Sequence, residues 1–312
     1  MKKISVSLIV VLLFLCICPE IFAQPNTETR NVRIGIMPDV DSLPFMLADS
    51  RQLFTQEGAG VDLVQFQSPI ERDAAFQAGQ VDGIVGDTLG ALFLEQAGFD
   101  ISILSKTNGR YGLAGEPKGT VTTLQQLGNQ EIGVSSNTII EYIADSLVGS
   151  AGIEEDQFKT LAVPKIPVRM ELLLNGQISS ACLPEPLYSL VLSKGALALG
   201  DSTSLDDAPG VMIFSSKYVK DHKDVLTKVF KAYWKAGQLL NANPDDYRSF
   251  LVETAGFPPQ VAKTFSFVAY TKPQVPTESQ VRKVSSWMER KKLLDTIPSY
   301  GSLVDDSVVQ GI

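Results

Sequence analysis

The 312-residue chain carries a single histidine, His222, inside the charged run Lys220-Asp221-His222-Lys223-Asp224, which reads as a solvated helix junction. A histidine-based triad, a histidine-rich metal site and histidine acid/base chemistry therefore have no centre. Cysteine is nearly as scarce: of three, Cys16 and Cys18 fall in an apolar N-terminal run, leaving Cys182 in a predicted buried strand. No intramolecular disulfide can form, so the fold must stand on its core. No Gly-x-Ser-x-Gly, phosphate loop or dinucleotide glycine pattern occurs, which moves the reading from catalysis toward binding. Lysine and arginine number 27 against 35 acidic residues, and nucleic acid, which needs clustered positive charge, is not an expected partner.

Long apolar runs are also missing, with one exception. Ile4 to Cys18 spans about fifteen residues, short of the roughly twenty needed to cross a bilayer. With Lys2-Lys3 before it and Ile21-Phe22-Ala23 after it, the run reads as a secretory signal peptide, residues 1–23. Loss of Lys2, Lys3 and Glu20 changes 27 minus 35 to 25 minus 34, a net charge of −9. A lipid anchor on Cys16 or Cys18 is disfavoured, because Phe14, Leu15 and Ile17 are bulkier than the small residues that precede a lipidated cysteine. The expectation is a soluble, monomeric protein secreted to the periplasm or another extracytoplasmic compartment.

What is present is a repeat. Leu174-Asn175-Gly176-Gln177-Ile178, Pro184-Glu185-Pro186 and Lys194-Gly195 return when shifted back by 97 residues: Gly176 falls on Gly79, Gln177 on Gln80, Glu185 on Thr88, Gly195 on Gly98 and Arg169 on Arg72. Arg33 to Met37 and Glu131 to Ser135 lie 98 apart. A period this long gives each copy enough chain to bury its own core, so two α/β lobes on one plan are expected. Strands at Val32–Met37, Val61–Phe66, Val81–Val85 and Ile101–Leu104 alternate with helices from Leu43 to Phe54, after Ser68, and after Asp87 or Thr88. The alternation predicts a mainly parallel sheet with crossover helices in each lobe. Ser68-Pro69-Ile70-Glu71 has the form of a capping box. The Gly109–Pro117 passage reads as the first crossing between lobes and Val211–Ser215 as the return; the remainder is helical and is expected to complete the first lobe. The expected division is 31–113 with 210–312 as lobe 1, and 114–209 as lobe 2.

In such sheets ligands bind beyond the carboxyl ends of the strands, at helix N-termini. Four ends qualify: Asp39, Asp41 and Ser42; Asp87 and Thr88; Ser136, Asn137 and Thr138; and Glu185, held between two prolines. Tyr111 is a candidate stacking face, and all ten are expected to contact a small-molecule ligand. Arg72 and Arg169 sit mid-helix and read as salt-bridge partners; no cofactor or metal is expected.

The strand Val32–Met37, Pro38 to Phe45 with Leu43-Pro44-Phe45, Ala78-Gly79-Gln80-Val81-Asp82-Gly83, Glu131 to Asn137, and Asn175-Gly176-Gln177 leading to Pro184-Glu185-Pro186 together resemble the solute-binding proteins of ABC importers. The branch for alkanesulfonates, nitrate and thiamine-pyrimidine precursors is the most similar. The resemblance implies a type II periplasmic binding fold, with two lobes closing on a small ligand and a membrane permease as partner. That branch often carries an aromatic where Asp39 and Asp41 stand here. An oxyanion would meet Asp39, Asp87 and Glu185 unless Arg110 or Arg169 reaches in, so a ligand with hydrogen-bond donors, an amine or a small heterocycle is expected. An enzyme of pyrimidine-precursor or related metabolism, or a secreted ligand-sensing module, is the alternative.

Overall fold

The computed structural model of the protein describes residues 30–205 and 209–312. The expected signal peptide, and 206–208 of the polar loop before Pro209, lie outside them. Four strands, β1 (Val32–Ile36), β2 (Val61–Gln65), β3 (Gly83–Asp87) and β4 (Ile101–Lys106), are separated by helices α1 (Leu43–Ser50), α2 (Leu53–Glu57), α3 (Pro69–Gln77) and α4 (Thr88–Gln96). The second copy runs β5 (Tyr111–Gly115), β6 (Glu131–Val134), α5 (Ile139–Ser150), β7 (Lys159–Ala162), α6 (Ile166–Leu174), β8 (Ser180–Pro184), α7 (Leu187–Ser193) and β9 (Leu197–Asp201). Strand β10 (Gly210–Ser215) leads to a helical tail: α8 (Ser216–Ala242), α9 (Arg248–Glu253), α10 (Pro259–Ala262), α11 (Glu278–Arg290) and α12 (Tyr300–Leu303).

The two sheets have one topology, β2-β1-β3-β10-β4 and β7-β6-β8-β5-β9. In each, the fourth position is filled by a strand that follows a crossing and runs antiparallel to its neighbours: β10 against β3 and β4, β5 against β8 and β9. The repeat is conformational as well as textual. Gly79 and Gly176 adopt φ of 66° and 65°, and Gly98 and Gly195 84° and 96°, so each pair ends a helix in the left-handed form that glycine adopts without a Cβ penalty.

Local chemistry sets the helix starts. Ser68 Oγ accepts from the Glu71 amide and Asp87 accepts from the Gly90 amide, each satisfying an amide the helix leaves unpaired. The expected single helix from Leu43 to Phe54 is two, because Gln52 turns to a φ of 55° between α1 and α2. Tail helix α8 kinks at His222, the junction expected from its charged neighbours. The tail does more than complete the first sheet. It packs α8 on α1 and α2 and α11 on α4, and it also lays α10 against α7 of the second copy. Trp287 of α11 donates its indole N–H to Asp145 of α5 at 3.1 Å, and Lys291 pairs with the same carboxylate at 2.7 Å. Among the described residues no helix is long and apolar enough to cross a membrane.

Candidate functional site

The carboxyl ends of β1, β3, β6 and β8 converge on one cavity of about 30 Å³ between the sheets. That space admits a water or two and no organic molecule, so the two lobes are closed on each other. The first sheet supplies Met37, Asp39, Asp41, Arg72, Val85, Gly86 and Asp87 to the walls; the second supplies Tyr111, Ile139, Ile140, Ile166 and Pro184.

Asp41 sits beside the two crossings. Thr107 and Tyr111 donate their hydroxyls to its two oxygens, both at 2.5 Å. A Cβ on Gly109 or Gly210 would collide here, the first with the Asp41 carboxylate and the second with Thr107 Oγ1. Both crossings therefore need glycine here for lack of room. The crossings also pair with each other, the Thr107 amide donating to Gly210 carbonyl at 2.9 Å. Asp39 bends back to accept from the Ser42 amide at 3.0 Å. Asp87 spans the cleft: one oxygen caps α4 at 2.8 Å, and the other accepts from the Ile139 amide at the start of α5, 3.3 Å away. A carboxylate between two helix N-termini is favoured by both dipoles.

Arg72, buried at 4 % exposure, reaches from α3 to the cavity. Its Nη1 donates to Val85 carbonyl at 2.9 Å and its Nε to Asp73 at 2.8 Å, whereas Nη2 lies 2.8 Å from the same Asp73 oxygen with no aligned hydrogen bond. Burial would lower the guanidinium, but Asp73, Asp87 and Asp39 outweigh it and hold it charged. The carboxyls shift the other way. Burial, then Asp41, pushes Asp39 up to about 8. Asp41 and Asp87 are likewise raised, chiefly by burial, against the hydrogen bonds and Arg72 that favour their ionised forms.

Of the ten residues expected at a site, Asp39, Asp41, Asp87 and Tyr111 meet at the cavity. The other six stand behind it or beside it. Ser42 is buried and accepts from the Met37 amide, bracing the loop. Thr88 donates to Pro209 carbonyl. Thr138 caps α5 through the Ile140 amide. Ser136 is half-buried, and Asn137 is exposed in the left-handed region with its amide donating to Glu141. Glu185 is fully buried and committed: Arg110 Nε and Nη2 and the Ser189 hydroxyl donate to Oε1, and the Ser189 amide to Oε2. Its peptide bond to Pro186 is cis.

Arg72 is the residue the sequence underrated, and its repeat mate was the available signal. Pro69 and Ile166, 97 apart, both line the cavity, and Arg72 and Arg169 each follow three residues later on the same helix face. Arg169 donates to Ser135 Oγ and Val163 carbonyl, and its Nε and Nη2 find no acceptor among the described residues. Burial draws its guanidinium down to about 10. Cys182 is buried and pushed up to about 12 by that burial, which fits an inert core thiol.

The alkanesulfonate-binding protein SsuA from Xanthomonas axonopodis pv. citri, solved bound to MOPS, is similar at 18 % identity and a TM-score of 0.75, over 88 % of this chain and 98 % of that one. The ligand-binding component of an ABC-type import system from Staphylococcus aureus, solved with zinc, is similar at 18 % identity and 0.75, over 89 % and 97 %. The periplasmic nitrate-binding protein NrtA from Synechocystis PCC 6803 is similar at 14 % identity and 0.70, over 91 % and 88 %. These likenesses establish the two-lobed periplasmic binding fold. No curated protein matches the sequence. Residues 39–247, about two thirds of the chain, match the family described as NMT1/THI5 like, and the chain belongs to that family.

Proposed function

We propose that the protein is the extracytoplasmic solute-binding component of an ABC importer, which captures a small polar solute between its lobes and hands it to a membrane permease. One observation carries the reading: Asp39, Asp41, Arg72 and Asp87 of one sheet and Ile139, Ile140 and Ile166 of the other face one closed cavity at the strand ends. Polar groups converging on an apolar wall are the usual make-up of a ligand pocket. The closed cavity is too small for an organic solute, so the lobes open to admit one, turning about the crossings next to Asp41. Contacts to both lobes then favour the closed form in proportion to the extra affinity it gives. The similarity to the ligand-binding component of an ABC-type import system and to alkanesulfonate- and nitrate-binding proteins supports the same reading, as does the signal-peptide pattern of residues 1–23.

Native mass spectrometry of the gently purified mature protein tests it. A single stoichiometric small molecule, released on denaturation and rebinding to refolded protein, is the expected result. A rebinding molecule that leaves chemically altered would replace binding by catalysis.

A further inference from the structure

The two walls of the cavity differ in kind. Asp39, Asp41, Arg72 and Asp87 form one and Ile139, Ile140 and Ile166 the other. Among the described residues Arg72 is the only lysine or arginine on either wall, and it is already held by Val85 carbonyl and Asp73. One guanidinium shared with Asp73 cannot balance three further carboxyls, and the second wall offers no charge. A buried excess of one sign is costly unless a counter-charge arrives or protons neutralise it.

We infer that the solute is a protonated amine on a compact apolar skeleton, its nitrogen seated against Asp39, Asp41 and Asp87 and its carbons on Ile139, Ile140 and Ile166. This rests on the solute-binding reading and names the solute class for that site. A consequence is proton exchange. Asp39, raised to about 8, holds a proton at neutral pH, and Asp41 and Asp87 are raised in the same direction. The incoming ammonium displaces a proton, so proton and amine compete for the same place.

The groups facing Asp39 and Asp41 support that assignment. Besides each other, they are Arg72 and Asp73 on α3, Asp87 at β3, Tyr111 on β5, Tyr233 on α8 and Tyr270 in the tail. Burial raises all three tyrosines, so they stay neutral, and Arg72 stays charged. Of these groups Asp39, raised to about 8, is the one that changes charge near neutral pH. The unaligned Nη2 of Arg72 would donate to an oxygen if the same solute carries one.

Titration calorimetry with four probes tests the inference: cyclohexylammonium, leucine, butanesulfonate and cyclohexanecarboxylate, at pH 6, 7 and 8 in buffers of low and high ionisation heat. Binding of cyclohexylammonium, leucine or both is expected, tightening about tenfold per pH unit between 6 and 8 and releasing about one proton per amine. In Asp39→Asn, checked for native melting and circular dichroism, that pH slope should flatten. Leucine binding alone would add a carboxylate at Arg72 to the same amine assignment. Binding by the sulfonate or carboxylate and by neither amine, amine binding without proton release, or no binding by any probe would each overturn the inference. Solute binding itself is judged apart, by the molecule released in native mass spectrometry.

Discussion

Arg72 and Arg169 occupy the same slot of the two repeats, three residues into helices whose first residues line one cavity, yet their surroundings are opposite. Arg72 is ringed by Asp39, Asp73 and Asp87; Arg169 donates to Ser135 and Val163 carbonyl and faces the Cys182 thiol. One fold plan therefore carries a charged wall on the first lobe and an apolar wall on the second. On the proposed reading the first lobe recognises the solute and the second covers it, which calls for a solute polar at one end and apolar at the other.

The arginine pair offers the largest test. Arg72→Met leaves Asp39, Asp73 and the buried Asp87 beside an uncharged side chain and should cost about 3–5 kcal/mol of unfolding free energy by urea titration. Arg169→Met removes a buried charge with no acid beside it. It loses two hydrogen bonds worth about 1 kcal/mol each and should cost less than about 2 kcal/mol. Equal losses would show that the slots are not different in kind.

Glu185 sharpens the contrast from the other side. Glu185→Gln weakens the charged contacts to Arg110 and should cost about 2 kcal/mol of stability. Ligand affinity should stay within about twofold, since the carboxylate stands off the cavity; a tenfold loss would move Glu185 back into the site.

Stability should also fall with pH on the first lobe's account. The folded Asp39 value of about 8 lies above its ordinary 3.8, so the folded state keeps a proton that the unfolded chain gives up. The contribution is full below about pH 4 and is lost as pH rises through 8, at up to about 1.4 kcal/mol per unit for one proton. Asp41 and Asp87 act in the same direction. Urea midpoints of the ligand-free protein at pH 5 and pH 8 measure the loss, and Asp39→Asn should shrink it.

The smallest effect belongs to the tail. Asp145→Asn replaces a pair with Lys291 while leaving an acceptor for the Trp287 indole, and should cost about 1 kcal/mol. A larger loss would mark α11 as a main tie between its lobe and α5.

The repeat was legible because glycine and strand patterns answer to local rules. Gly79, Gly98, Gly176 and Gly195 all adopt the left-handed form that ends a helix, and Asp87 caps α4 from the position its sequence indicates. Strand β9 gave no clear alternation at Leu197–Asp201, and β5 hid in a glycine-rich stretch, because each strand is specified by its neighbours in the second sheet. The site was half legible. Asp39, Asp41, Asp87 and Tyr111 lie where strand ends predict, but Glu185 looked free only because its partner Arg110 lies 75 residues earlier. Arg72 read as a mid-helix salt-bridge partner because helical spacing does not tell how far a long side chain reaches into a cleft.

X-ray scattering from protein freed of bound molecules, before and after return of the solute that co-purified with it, tests the central claim most directly. The expected result is a more extended particle at pH 8, where Asp39 loses its proton, and compaction to the closed form when the solute is added. Identical curves in the two states would contradict the claim that the lobes open and close on a ligand.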